Sequence, residues 1–316
     1  MANPTGPANR NAIYFIMLLV PLFWGGAFGA TKHVVTEIPP LTTAAVRFFL
    51  AGLLMTAWVA CRGGWDWAAI RRRWPGLLLL AVTGVFFYNV FFTVGMKYTS
   101  AINGALVIVV NPVTTALVAV TLLGEAWSWR LGAGLALSFL GVLTTITKSS
   151  LAVLAALSFA YGDLLMIGGV ASWTAYTIIG KIVMKDVPPL LATSVSTLAG
   201  SVMLLAATLF EDGWSRLPTV SAQTAVEMAY LIIFPTVLAF FLYNTGITRI
   251  GASRASAYIN LMPVNAIWIA AVFYGETVTL AHLAGAVLII GGLLLITVFD
   301  NRPAKSGAQP RPAGSR

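Results

Sequence analysis

Ten apolar runs, each close to the length of a membrane-crossing helix, follow one another along this chain with only short breaks between them. About 20 predominantly apolar residues carry a helix across a bilayer. The runs cover 13–31, 41–61, 76–96, 101–123, 131–147, 163–183, 190–210, 225–244, 254–274 and 280–299. They stop where membrane helices stop, as at Pro39-Pro40, Arg62-Gly63-Gly64, Gly124-Glu125 and Pro188-Pro189. Barrel strands would be shorter and would alternate in polarity. The expected fold is therefore an all-α integral membrane protein with ten transmembrane helices. With 59% of 316 residues hydrophobic and only 9% charged, no separate soluble domain fits. A net charge of +9 could suggest nucleic acid, but basic cytoplasmic loops account for it better in so apolar a chain. Cys61 is alone, so neither an intrachain disulfide nor a thiol-based zinc site can be built.

The chain repeats itself. Residues 18–40 resemble 167–189 at an offset of 149, pairing Trp24 with Trp173, Lys32 with Lys181 and Pro39-Pro40 with Pro188-Pro189. Further on the offset is 151, and Gly95, Pro112, Gly124-Glu125, Gly134 and Gly141 meet Gly246, Pro263, Gly275-Glu276, Gly285 and Gly292. The first run is part of this repeat, which argues against reading it as a cleaved signal peptide. The expected organisation is an N-terminal segment (1–12), a five-helix repeat (13–147), a connector (148–162), a second five-helix repeat (163–299) and a disordered basic tail (300–316). Five is odd, so the second repeat enters the membrane from the opposite side, giving an inverted pair. One set of loops and ends carries 14 Lys and Arg and the other 4, so both termini are expected in the cytoplasm.

Trp24-Gly25-Gly26-Ala27-Phe28 with Lys32, Pro40 and Arg47 resembles the opening of an EamA domain. Asn111-Pro112 through Gly124-Glu125 and Gly134 to Gly141 resembles its closing half, and Pro263 through Gly292 repeats it. Over almost its full length the chain is similar to two-repeat members of the drug/metabolite transporter superfamily, most of all to the bacterial aromatic amino acid exporters. The resemblance implies a secondary transporter of the bacterial inner membrane that exports amino acids, the aromatic ones foremost, by alternating access. A drug or other metabolite exporter of the same fold is the alternative, and a membrane enzyme or scaffold a remote one. The partners implied are a small-molecule substrate and the lipid bilayer; the oligomeric state stays open. One departure is that Ser196 stands where the first repeat has Arg47.

The chemistry-bearing residues point the same way. The runs have no mid-membrane carboxylate, no phosphate loop and no His-Glu-x-x-His, so no catalytic residues, metal ligands or cofactor are expected. What remains is neutral. Trp24, Tyr88, Trp173, Tyr176, Tyr243 and Tyr258 are expected to wall a central cavity, with Asn89, Asn111, Asn244 and Asn260 binding the ligand's amino and carboxylate groups. Interhelical packing is the structural alternative for all of them. Trp65, Trp67, Trp74, Trp127, Trp129 and Trp214 read as interface-belt residues. Pro112 and Pro263 fall mid-run and read either as paired hinges for gating or as static kinks. Arg47, inside helix 2, reads as an arginine snorkelling to the interface or bonding neighbouring carbonyls, with a ligand contact as the alternative.

Overall fold

In a computed structural model the described residues are 7–98, 107–147, 150, 152, 161–274 and 277–298, and apart from turns they are helical. Eight helices among them are long and apolar enough to cross a membrane: α1 (Ala12–Glu37), α2 (Pro40–Cys61), α3 (Trp67–Gly95), α5 (Trp129–Thr147), α6 (Tyr161–Val183), α7 (Pro189–Phe210), α8 (Ala222–Ile250) and α10 (Leu280–Thr297). Two shorter ones, α4 (Asn111–Leu123) and α9 (Met262–Tyr274), occupy parts of the runs expected at 101–123 and 254–274. The expected tail at 300–316 and most of the 148–162 connector lie outside the described residues.

The two longest helices start three or more residues ahead of their apolar runs. α3 begins at Trp67 rather than near 76, and α8 at Ala222 rather than near 225. The reason is capping: the Asp66 side chain accepts a hydrogen bond from Ala69 N (2.8 Å), and Ser221 Oγ accepts one from Thr224 N (3.1 Å). A hydropathy window discounts Arg71, Arg72 and Arg73, but a capped helix carries them out past the bilayer. At 29 residues each, α3 and α8 are about 44 Å long, well beyond a hydrocarbon core of about 30 Å.

Each of these long helices widens into a π segment, Ala81–Phe87 in α3 and Ile232–Leu238 in α8. The two lie 151 residues apart at both ends, the same offset as the sequence repeat. In α8 the cause is legible. Pro235 has no N–H to give the Leu231 carbonyl one turn back, so the ladder there shifts to the wider π register, and Thr236 Oγ1 also donates to that carbonyl (2.8 Å).

Small residues set the tightest helix pairs. Gly134 of α5 lies against Gly292 of α10, and Gly141 against Gly285, with Ser138 Oγ donating to Ile289 O (3.3 Å). In the same way Gly52 of α2 meets Leu198 of α7, and Thr56 Oγ1 pairs with Ser194 Oγ at 3.0 Å. Along both contacts numbering rises on one helix as it falls on the other, so the partners run antiparallel. Without Cβ atoms the backbones approach closely, which is how helices gain dispersion energy in lipid. Trp67, Trp74, Trp127, Trp129 and Trp214 are exposed near helix ends, whereas Leu122, Leu140 and Val287 present bare apolar surface suited to acyl chains.

A Cβ on Gly141 would sit 2.7 Å from Gly285 O and 2.8 Å from Ile289 N, where backbone cannot yield. Gly141→Leu is therefore expected to cost at least about 1–3 kcal/mol of stability. The readout is a lower melting temperature and a smaller monodisperse fraction in detergent; wild-type behaviour would mean that this packing is not limiting.

Candidate functional site

The centre of the bundle is aromatic. Trp24 of α1 and Trp173 of α6, paired by the repeat, meet edge to face with ring centroids 5.3 Å apart. Tyr88 of α3 lies 4.8 Å from Trp173, and Tyr176, one turn further along α6, lies 5.2 Å from it. From α8, Tyr243 approaches Trp24 at 5.3 Å and Trp173 at 5.6 Å. Phe240 adds an edge-to-face contact to Trp173 at 5.6 Å, and Phe48 of α2 packs on Phe240 at 5.7 Å. Each such pair contributes about 0.5–1.5 kcal/mol beyond burial. Trp173, Tyr176 and Tyr243 are at most 4% exposed, so the rings are closed on one another and not spread around a water-filled space.

Local sequence makes this possible. Gly84, inside the α3 π segment, leaves the space that the Tyr176 ring fills. Pro235, inside the other, leaves its carbonyl to accept from Trp24 Nε1 at 2.9 Å. Tyr243 OH pairs with Thr177 Oγ1 (3.1 Å), and Asn244 Nδ2 donates to Tyr176 OH (2.6 Å) and Thr193 Oγ1 (2.7 Å). The hydroxyls of the cluster are thus tied to α6, α7 and α8 together.

Of the residues singled out from sequence, Trp24, Tyr88, Trp173, Tyr176 and Tyr243 come together here, joined by Asn244. The other asparagines do not converge on one ligand position. Asn89 Nδ2 donates to Val85 O at 2.6 Å, serving a carbonyl of its own helix. Asn111 bonds across to α6, weakly to Val170 O (3.5 Å), and accepts from Thr115 Oγ1 (3.2 Å). Beside it Thr114 and Thr174 pair at 3.0 Å, forming a polar seam between α4 and α6. Tyr258 OH donates to Tyr14 O at 3.0 Å, tying the lead-in to α9 onto the start of α1. Asn260 is buried, with neither end of its amide bonded among the described residues, and none of the ring contacts involves it.

The prolines correct another expectation. Neither interrupts the middle of a regular α-helix. Pro112 stands in the first turn of α4, just after a turn at Val109 and Val110. Pro263 is the second residue of α9, immediately after the 3-10 turn Tyr258–Leu261. First-turn proline loses no intrahelical bond, so each starts a fresh helical segment partway along its apolar run. The hydrogen-bond pattern changes at both places, while the backbone of Val110 and Met262 stays right-handed helical.

Arg47 also departs from expectation. It does not reach for the interface. Its Nε donates to Thr236 Oγ1 at 2.6 Å, and its guanidinium lies 5.1 Å from the centroid of Phe48, at the edge of the aromatic cluster. Phe240 and the threonines were also passed over in sequence. Phe240 had a signal, since it shares a helical face with Tyr243 and Asn244 at i, i+3 and i+4. The threonines had none, because Thr is ordinary in membrane helices.

Two further ties close one end of the bundle. The Glu125 carboxylate accepts from Ala252 N (2.7 Å), Ser253 N (3.1 Å) and Ser253 Oγ (2.6 Å), capping the short helix Ala252–Ala257. Lys181 Nζ donates to Ile247 O (2.7 Å) and Thr248 O (3.1 Å) in the last turn of α8.

A bundle of apolar helices closed around a buried aromatic centre is the architecture of a multi-pass membrane transporter. Comparison with known proteins gives the family. The EamA-like transporter family model matches residues 11–147 and again 160–298, and the chain belongs to that family. It is similar to the uncharacterised transporter YyaM of Bacillus subtilis (strain 168), 33% identical over 282 residues that cover 89% of this chain and 92% of that protein. It is also 29% identical to a probable amino-acid metabolite efflux pump of Salmonella typhimurium, over 91% of this chain and 95% of that one. One crystal structure matches with a TM-score of 0.76 at 19% identity, covering 92% of this chain and 98% of the other, which supports the fold.

Removing the Asn244 amide orphans Tyr176 OH, so Asn244→Leu is expected to cost about 1–2 kcal/mol in detergent unfolding. In the Tyr176→Phe background the same substitution is expected to cost clearly less. Equal costs in both backgrounds would mean that the bond carries no weight.

Proposed function

We propose that the chain is a secondary exporter of small organic solutes, amino acids with aromatic side chains foremost, and that the aromatic centre is its substrate site in a closed state. The observation that carries this reading is the joining of rings from α1, α3, α6 and α8 at mid-span. Both halves of the chain contribute, so movement of one half against the other parts the rings and admits a flat apolar side chain between them. The name of the Salmonella relative supports an amino-acid-related cargo. Export of a drug or another metabolite by the same fold is the second reading, since flat apolar molecules in general suit such walls.

In this reading residues 13–147 and 163–299 are inverted five-helix halves, ten helices in all, with both termini in the cytoplasm. The antiparallel pairs α5/α10 and α2/α7 support it, because repeat-related helices in contact must then run in opposite directions. Pro112 and Pro263 start the helix segments that swing as access alternates, while the Glu125 and Lys181 ties hold the cytoplasmic end shut.

Two measurements test this. Reporter fusions at Arg10 and at the C-terminal tail are both expected to read cytoplasmic, and a periplasmic signal from either breaks the inverted arrangement. In proteoliposomes, Trp173→Ala and Tyr88→Ala at matched protein amounts are each expected to lower aromatic amino acid flux by about tenfold, the equivalent of one or two lost ring contacts. Wild-type flux through both variants would remove the aromatic centre as the site while leaving the transporter class untouched.

A further inference from the structure

Among the described residues, Arg47 is a charge well inside a span with no carboxylate beside it. It is the eighth residue of α2, about 10 Å along the helix from Pro40. A guanidinium stays protonated and has five N–H donors. One of them, on Nε, is taken by Thr236. The described carboxylates sit near helix ends and pair elsewhere, Glu227 with His33 and Asp186 with Arg73, and none lies within 4.0 Å of Arg47. A cation placed this far into a span without a counter-charge is costly, and such residues mark ligand paths.

The surroundings hold Arg47 in place rather than neutralise it. Thr236 is fixed in turn, because its hydroxyl donates to the Leu231 carbonyl at 2.8 Å. The proline-induced π segment of α8 thus presents an acceptor to Nε. The Phe48 ring supports the cation from one side. With Nε occupied, the edge formed by the two Nη groups keeps its donors, and that edge matches a carboxylate in bidentate fashion. The phenols of Tyr88 and Tyr230 are close enough to feel the same charge. Tyr88 also touches Trp173, so this cationic edge borders the aromatic centre.

From this geometry we infer that Arg47 is the receptor for the substrate's carboxylate, with Thr236 as its positioning residue. The inference rests on the proposed substrate site and narrows its cargo to organic anions and zwitterions that join a carboxylate to an apolar ring. It also moves carboxylate recognition away from Asn89, Asn111 and Asn244, whose amides serve helix carbonyls, threonines and Tyr176. Because Ser196 stands at the repeat-related position, the receptor exists in one half only. The ligand is therefore held in a single orientation, with its carboxylate towards the Pro40 end of α2.

The test varies the ligand first. Purified wild-type protein is titrated with indole-3-propionate and with its neutral amide, and binding is read by thermal stabilisation and by titration calorimetry. The carboxylate is expected to bind at least about tenfold tighter, as a charge-assisted pair requires. Equal binding of the two ligands overturns the inference with no variant needed. Arg47→Gln is expected to erase the preference while keeping the amide's affinity, and Arg47→Lys to restore it only in part, because an ammonium lacks the fork. Thr236→Val keeps the charge and frees Nε; it is expected to weaken the preference by several-fold, and it serves if Arg47→Gln fails to fold. A folded Arg47→Gln that still prefers the carboxylate overturns the assignment. Absence of tryptophan flux in proteoliposomes, with the carboxylate preference intact, would sink the export reading and leave the receptor standing.

Discussion

A bilayer offers no water to bond a stray carbonyl or amide, so every break in a membrane helix must be repaired from within the protein. Most of this structure's distinctive chemistry grows from that requirement. Pro235 has no N–H for Leu231 O, the ladder widens, and Thr236, whose hydroxyl also donates to that carbonyl, is thereby fixed where Arg47 can use it. The Pro235 carbonyl itself takes the indole N–H of Trp24. In α3 the Asn89 amide donates to Val85 O within the matching segment, while its Gly84 makes room for Tyr176. The segments where side chains bond the backbone are the same ones that shape the aromatic centre.

Symmetry and its breaking divide the work. The scaffold follows the repeat: the π segments of α3 and α8, the first-turn prolines of α4 and α9, and the glycine contacts of α5 with α10 all sit at corresponding places. The site does not. Trp24 and Trp173 correspond, but Tyr88 faces no aromatic counterpart in its partner repeat, since Ala239 stands there, and Arg47 is answered by Ser196. A symmetric frame allows two related conformations of similar energy, whereas a cargo with distinct ends needs an asymmetric seat. Both demands are met in one chain by duplicating the small residues and varying the large ones.

The aromatic cluster was legible in the sequence because Trp and Tyr within apolar runs are unusual and announce themselves. The asparagines misled. An amide at depth has strong bonding needs, but sequence does not say whether a ligand or a neighbouring carbonyl meets them. Asn89 and Asn111 turned out to be committed to the frame, and Asn244 to Tyr176 and Thr193. Arg47 misled in the opposite sense. An arginine a few residues from a helix end has the length to snorkel, and only the position of Thr236, 189 residues away, keeps it inside.

By itself the sequence determined the class of fold and the repeat, because these depend on hydropathy and composition read along the chain. Which polar groups are free and which are committed was decided only in the tertiary structure. That follows from partners drawn from distant helices: Tyr176, Thr193 and Asn244 meet across three of them, and Arg47 and Thr236 across two. In a solvent with no hydrogen bonds to offer, a side chain's role is set by the neighbour that satisfies it, and only the packed bundle brings that neighbour within reach.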